Sequence, residues 1–293
     1  MTTATGIASG LDTRSKGILA ALFGTMLISF DSIFIRLSGA GGFDTIFLFG
    51  LFTTISMATL IQARDPRGLV GTIREGGWPI FFSGLIMLGS ASTFVMSVQH
   101  TAVANTVIIM SSQPVFTAVL SWLFLRERSS WQAWLAMGAV MAGMAVVVSG
   151  GIGAGNVLGD GLAVCTMLFL AVNGTLQRRY LQVSRMAIVG AGGLFLTLAM
   201  VFVAEPGGFT LRTWLVMAAM GLFSAPLGRV LKATSTRHIT ATEMSLISLS
   251  LAVFAPLWAF LVFGERPPLN TLLGGCIILV ALALYFASTR NRG

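Results

Sequence analysis

Chemistry in so apolar a chain falls to a few polar side chains: 10 Asp and Glu, 18 Lys and Arg and 2 His among 293 residues. Asp31 is the only acid well inside the first apolar run, about two thirds of the way along it at a rise of roughly 1.5 Å per residue. An acid in that place is a candidate proton carrier. The other reading is a hydrated acid near a helix end, or one paired with Arg36. Gln113 precedes Pro114, whose missing N–H frees a backbone carbonyl that the amide can serve together with a ligand. His100 and His238 fall at the ends of the third and eighth runs. His100 is a candidate vestibule residue at an outer mouth; a plain interfacial role is the alternative. Glu127-Arg128 and Glu265-Arg266 read as helix caps or gate-region ion pairs. The sequence contains no GxxxxGK[ST] loop, haem-binding pair or metal-ligand cluster, which argues against ATP-driven pumping and redox chemistry. No cofactor and no metal is expected. Scattered Ser residues, with His only at run ends, give an intramembrane enzyme little to work with. Cys165 and Cys276 each sit inside an apolar run and read as small core residues, without a disulfide or zinc role.

These side chains need elements to hold them, and the composition limits which kind. The chain is 55% hydrophobic and 10% charged, with a mean hydropathy of +0.88, too few charges to coat a water-soluble globule. Apolar runs recur near 17–37, 43–63, 78–98, 102–125, 131–150, 157–178, 186–204, 213–232, 240–263 and 269–288. Each is long enough to cross a hydrocarbon core, and in lipid every backbone group must be bonded within its own segment, so the runs predict helices. The expected fold is all-α and integral to a membrane, with ten transmembrane helices. Lys and Arg collect in alternate links, among them Arg64, Arg126, Arg178, Arg185, Arg229, Lys232 and Arg237, against only Arg36, Arg212 and Arg266 on the other side. By the positive-inside rule both termini are cytoplasmic. The net charge of +8 is therefore a topology signal, and no nucleic-acid partner is expected; the partners are the bilayer and a small molecule. The absence of a long hydrophilic transit-type extension favours a bacterial inner (plasma) membrane.

The chain also repeats itself. A shift of 138 residues lays Ser97, His100, Ile109, Ser112, Phe116, Glu127 and Arg128 on Ser235, His238, Ile247, Ser250, Phe254, Glu265 and Arg266 without a gap. A slightly larger shift puts Gly17 on Gly159, Asp31 on Asn173 and Arg36 on Arg178. Two five-helix repeats follow, residues 1–155 and 156–293, forming one compact unit. An odd helix number per repeat inserts the second copy upside down. Inverted repeats recur in secondary transporters, where exchanging the conformations of two halves opens a midplane site to each side in turn.

The run from Val107 through Pro114 and Phe116 to Leu125-Arg126-Glu127-Arg128, then Gly138 and Gly143, resembles the EamA repeat of the drug/metabolite transporter superfamily. The second copy runs through Pro256 to Gly264-Glu265-Arg266. The second half carries Ala252 where the first has Pro114, so the halves need not bend alike. Within the superfamily the chain looks most like the YddG-type exporters of aromatic amino acids. The resemblance implies a central cavity framed by helices one, three, four, six, eight and nine, with five and ten set aside. Its candidate lining residues are Met26, Phe30, Phe94, Met110, Gln113, Phe169, Asn173, Met244, Ser245 and Ser248, with Phe34 and Trp258 as further aromatic candidates. For the Ser residues the alternative is bonding within their own helix. The expected function is export or facilitated passage of small neutral, aromatic amino acids and related metabolites by alternating access. A cavity short of charges disfavours multiply charged cargo. The alternatives are an exporter of organic cations, drugs or purine-type metabolites in the same superfamily, a membrane scaffold, and an intramembrane enzyme. Ala139 and Gly143 form a small-residue ridge that suits close packing within a monomer or across a homodimer.

Overall fold

A computed structural model of the chain describes residues 13–101, 103–149, 156–264 and 269–290. Among these residues all regular structure is helical, in the order α1 Thr13–Ser29, α2 Asp31–Ser38, α3 Gly42–Arg64, α4 Gly68–Gly76, α5 Trp78–His100, α6 Val103–Ser111, α7 Gln113–Leu125, α8 Trp131–Val148, α9 Val157–Arg179, α10 Arg185–Met200, α11 Leu211–Ala219, α12 Ala225–Ser235, α13 Ala241–Ser248, α14 Leu251–Phe263 and α15 Leu269–Arg290. Several are halves of one rod. Eight rods are long and apolar enough to cross a membrane, including Thr13–Ser38, Asn105–Leu125, Leu211–Ser235 and Ala241–Phe263; Trp131–Val147 and Arg185–Met200 are shorter apolar helices beside them. The apolar runs made one element invisible: α4 is an amphipathic helix of about two and a half turns in the link after α3, where Arg67 pairs with Asp65 at 2.7 Å and also with Glu75. That pairing holds the Asp65 carboxyl well below the usual carboxylate range.

Local chemistry sets the ends and the breaks. Ser130, Asn156, Ser184, Thr210 and Thr240 cap their helices by accepting a first-turn N–H. Between α6 and α7 the chain tightens, with the Ser112 N–H and Oγ both donating to Ile109 O, at 3.1 and 2.6 Å. The same event recurs between α13 and α14, where the Ser250 N–H and Oγ donate to Ile247 O at 3.0 and 2.7 Å. The two halves therefore break alike although only the first has a proline just past the break; the Ser back-bond is common to both. α7 and α14 are each 13 residues long, and each ends on a left-handed residue, Arg126 at φ 57° and Gly264 at φ 70°. Glu265 and Arg266 lie outside the described residues. A π turn at Met220–Ser224 joins α11 to α12, and Pro226 withdraws the donor that would meet Leu222 O. Ser56 Oγ supplies a donor to that carbonyl at 2.7 Å.

Helices pack as α3 on α10, α8 on α15, α5 on α9, α1 on α12 and α13 on α7. Three of these crossings place glycine against glycine. A Cβ on Gly50 would sit 2.7 Å from Gly193 O, and one on Gly193 would sit 2.8 Å from Gly50 O, so backbone meets backbone with no room for a methyl group. Gly24 with Gly228 and Gly143 with Gly274 repeat that reciprocity. The small-residue ridge at Gly143 is thus consumed inside the fold. Cys165 and Cys276, expected in the core, are exposed on the outer face of the bundle, an ordinary place for a small apolar side chain on a lipid-facing surface.

The two ends of the bundle differ. At one, Arg14 bonds Glu243 at 2.6 Å, Tyr285 Oη donates to the same carboxylate at 3.2 Å, and Arg178 bonds Glu127 at 2.9 Å. The start of α1 and the end of α15 therefore share this arginine-rich end. At the opposite end Thr213 Oγ1 donates to Ser38 O at 2.9 Å, and Thr101 Oγ1 donates to Asp160 Oδ1 at 2.8 Å.

Candidate functional site

A cavity of about 560 Å³ runs from Gln177 and Lys232 to Ala40, in the link after α2, and Gly42, at the start of α3, at the end away from the arginine-rich one. Its walls come from α1, α2, α3, α5, α7, α9, α10, α12 and α13, with Met220 from the π turn before α12. α8 and α15 stand aside, whereas α3 and α10, outside the expected frame, contribute Thr45, Ile46, Phe49, Ile188, Val189 and Leu196.

The lining is an apolar sleeve with one charged band. Met87, Phe94, Met244 and Phe49 supply soft and aromatic surface. Arg229 Nη1 donates to Asp31 Oδ2 at 3.1 Å, and the guanidinium lies over the Phe49 ring, 4.4 Å from its centroid. Asp31 therefore pairs with Arg229, and the anticipated partner Arg36 instead covers the Phe263 ring at 4.6 Å. Lys232 follows Arg229 by three residues on α12, so both face the same side. Among the described residues its ammonium has no hydrogen-bond or ion-pair partner, and neither does the buried Asp31 Oδ1. Farther round the wall, Ser83 Oγ donates to Asn173 Oδ1 at 2.6 Å, with Gln177 Nε2 at 3.5 Å from the same oxygen.

Of the sequence candidates, Asp31, Phe94, Gln113, Asn173 and Met244 line this cavity. The rest lie elsewhere. Phe30 stacks on Trp258 with ring centroids 4.3 Å apart, and Trp258 Nε1 donates to Ser29 Oγ at 2.7 Å, which ties α14 to the α1–α2 junction. The Phe169 ring fills the space beside Gly89, and Phe34 packs against the core cluster that contains Phe47 and Met217. Ser245 and Ser248 bond back to Thr242 O and Met244 O, at 2.9 and 2.8 Å, the within-helix use that polar residues in lipid often find. Met26 and Met110 are half-buried outside the lining, and His100 is exposed at the C-terminus of α5. Among the described residues no group of His, Cys, Asp and Glu could hold a metal ion.

Two expectations need correction. Arg229 and Lys232, read as charges of a link, belong to the cavity wall, within the apolar span Leu211–Ser235. The cavity is consequently not short of charge: it holds two cations and one carboxylate. Charges can occupy such a span because they face a wet interior and not lipid. Their spacing, on one helical face beside Pro226 and Gly228, was the signal available in the sequence.

A helical membrane bundle enclosing a cavity with a charged band is the build of a small-molecule transporter. The chain belongs to the EamA-like transporter family, whose pattern matches twice, over residues 15–149 and 157–287. Relatives include an uncharacterized transporter of Synechocystis sp., 24% identical over 212 residues, covering 65% of this chain and 59% of that protein. Another is solute carrier family 35 member G1 of Mus musculus, 27% identical over 135 residues, covering 45% of this chain and 36% of that protein. The matched stretches thus span well under two thirds of these relatives. A solved crystal structure, 19% identical, superposes with a TM-score of 0.82 over 95% of this chain and 99% of the other, a likeness of fold.

Proposed function

We propose that the chain is a secondary transporter that exports small zwitterionic amino acids with apolar or aromatic side chains by alternating access. The observation that carries this is the cavity itself, where Lys232, without a partner among the described residues, and Asp31, whose buried Oδ1 accepts no hydrogen bond among them, offer a carboxylate site and an ammonium site inside walls of Phe and Met. The two cations beside one acid disfavour an organic cation, and membership of a transporter family favours transport over catalysis. Two inverted five-helix halves, 1–155 and 156–293, giving ten transmembrane helices, are supported by the twin family match, the matched 13-residue helices and the reciprocal glycine crossings. On this reading the arginine-rich end is cytoplasmic, in a bacterial inner membrane, and its ion pairs close that side while the cavity opens to the other.

The test holds the indole ring constant and varies the charge: tryptophan, tryptamine and indole-3-propionate compete for purified protein. The zwitterion is expected to bind tightest. Tryptamine binding as tightly as tryptophan would overturn the reading in favour of cationic cargo.

A further inference from the structure

Beyond the cavity floor, at the arginine-rich end, three guanidinium groups meet where α10 begins. Arg185 is the first residue of this 16-residue helix, follows the N-cap Ser184, and is 3% exposed. Its Nε, Nη1 and Nη2 are buried and have no hydrogen-bond partner among the described residues. Folded proteins pair nearly all such groups, and a buried charge without a counter-charge is costly to hold. The neighbours deepen the imbalance. Arg237 Nη2 donates to Val183 O at 3.3 Å, two residues before Arg185, and Arg178 Nη1 donates to Thr236 O at 2.8 Å, beside Arg237. Both like charges bear on Arg185. The acid at this cluster, Glu127, is engaged through Oε1 by Arg178 Nε at 2.9 Å, and its Oε2 is buried without a hydrogen-bond partner among the described residues. Three cations against one carboxylate share one place with the positive end of a helix, a net positive arrangement that suits an anion with several acceptor oxygens.

We infer that Arg185, with Arg178 and Arg237, forms a site for one oxyanion, distinct from the cavity and loaded when the ion pairs at this end part. Two sources share the chemistry: the carboxylate of the cargo and the phosphate of an anionic lipid headgroup. Ile188 and Val189, one turn along α10 from Arg185, line the cavity, so a carboxylate leaving Arg185 would next meet the wall that holds Lys232.

Inorganic phosphate alone is titrated into purified protein while the melting temperature is followed. A saturable rise is expected in the wild type and in Lys232→Met, largely kept in Arg185→Lys and lost in Arg185→Gln. Arg237→Gln, at an exposed position, should weaken the response and serves as the second variant if Arg185→Gln does not fold. No saturable response in the wild type, or an undiminished one in both Gln variants, overturns the site. Because the probe is not the cargo, this result stands apart from the amino-acid reading. In phosphatidylcholine vesicles, a rise of about tenfold in KM for tryptophan at the arginine-rich face only, caused by Arg185→Gln, assigns the site to cargo. An effect that appears only with added phosphatidylglycerol assigns it to lipid.

Discussion

Replacing Lys232 by Met keeps the length and apolar stem of the side chain and deletes the ammonium. Arg229, one turn away, is already engaged by Asp31 at 3.1 Å, so Lys232 is the cavity cation left to meet a carboxylate. A hydrogen bond to a charged group contributes about 1.5–3 kcal/mol. That corresponds to roughly 10- to 150-fold in Kd. Calorimetry on purified Lys232→Met should therefore show tryptophan binding weakened by about that factor, with tryptamine, which lacks the carboxylate, changed less than about twofold. Stability should move the other way. An unpaired cation in a partly desolvated wall opposes folding, so the variant should melt at or above the wild type. Wild-type tryptophan affinity in Lys232→Met, or an equal loss for tryptamine, would refute the reasoning.

Gly193→Val should lower the melting temperature, because its Cβ would lie 2.8 Å from Gly50 O and overpacking costs about 1–3 kcal/mol; Gly138→Ala, with nothing within 4 Å of the added methyl group, is the control and should not. Asp31→Asn should remove dependence of transport on a pH gradient, if that carboxylate carries the proton, and unchanged dependence in flux assays would dismiss the role. Glu127→Gln removes the partner of Arg178 and should open the arginine-rich end, read as faster labelling of a Ser129→Cys probe by a membrane-impermeant maleimide. Equal labelling rates would show that this ion pair does not hold the end shut.

How far the sequence reached depended on which physical signal each residue leaves. Long apolar runs leave an unmistakable one, so the eight long apolar rods among the described residues lie where hydropathy puts them, and the shift of 138 residues aligns the two Ser breaks. α4 was missed because a short amphipathic helix in a link has neither length nor apolar mass. Asp31, Gln113 and Asn173 were legible as cavity residues because a polar side chain in mid-run must face inward. Phe30, Phe169 and Met26 were not, since an aromatic or Met at helical spacing serves a packing seam as well as a ligand, and nothing in the sequence tells the two apart. Arg229 and Lys232 were misread for a related reason. Near the end of an apolar run a cation counts equally as a topology signal and as a wall residue, and only the crossing of α1 on α12 at Gly24 and Gly228, which turns that face inward, decides between them.

The central claim is that this cavity carries a zwitterion across the bilayer, and counterflow tests it most directly. Proteoliposomes preloaded with unlabelled tryptophan and diluted into labelled tryptophan should show transient accumulation of label without ATP, strongly reduced in Lys232→Met. Uptake indistinguishable from protein-free liposomes, or accumulation untouched by the loss of the ammonium, would contradict the account.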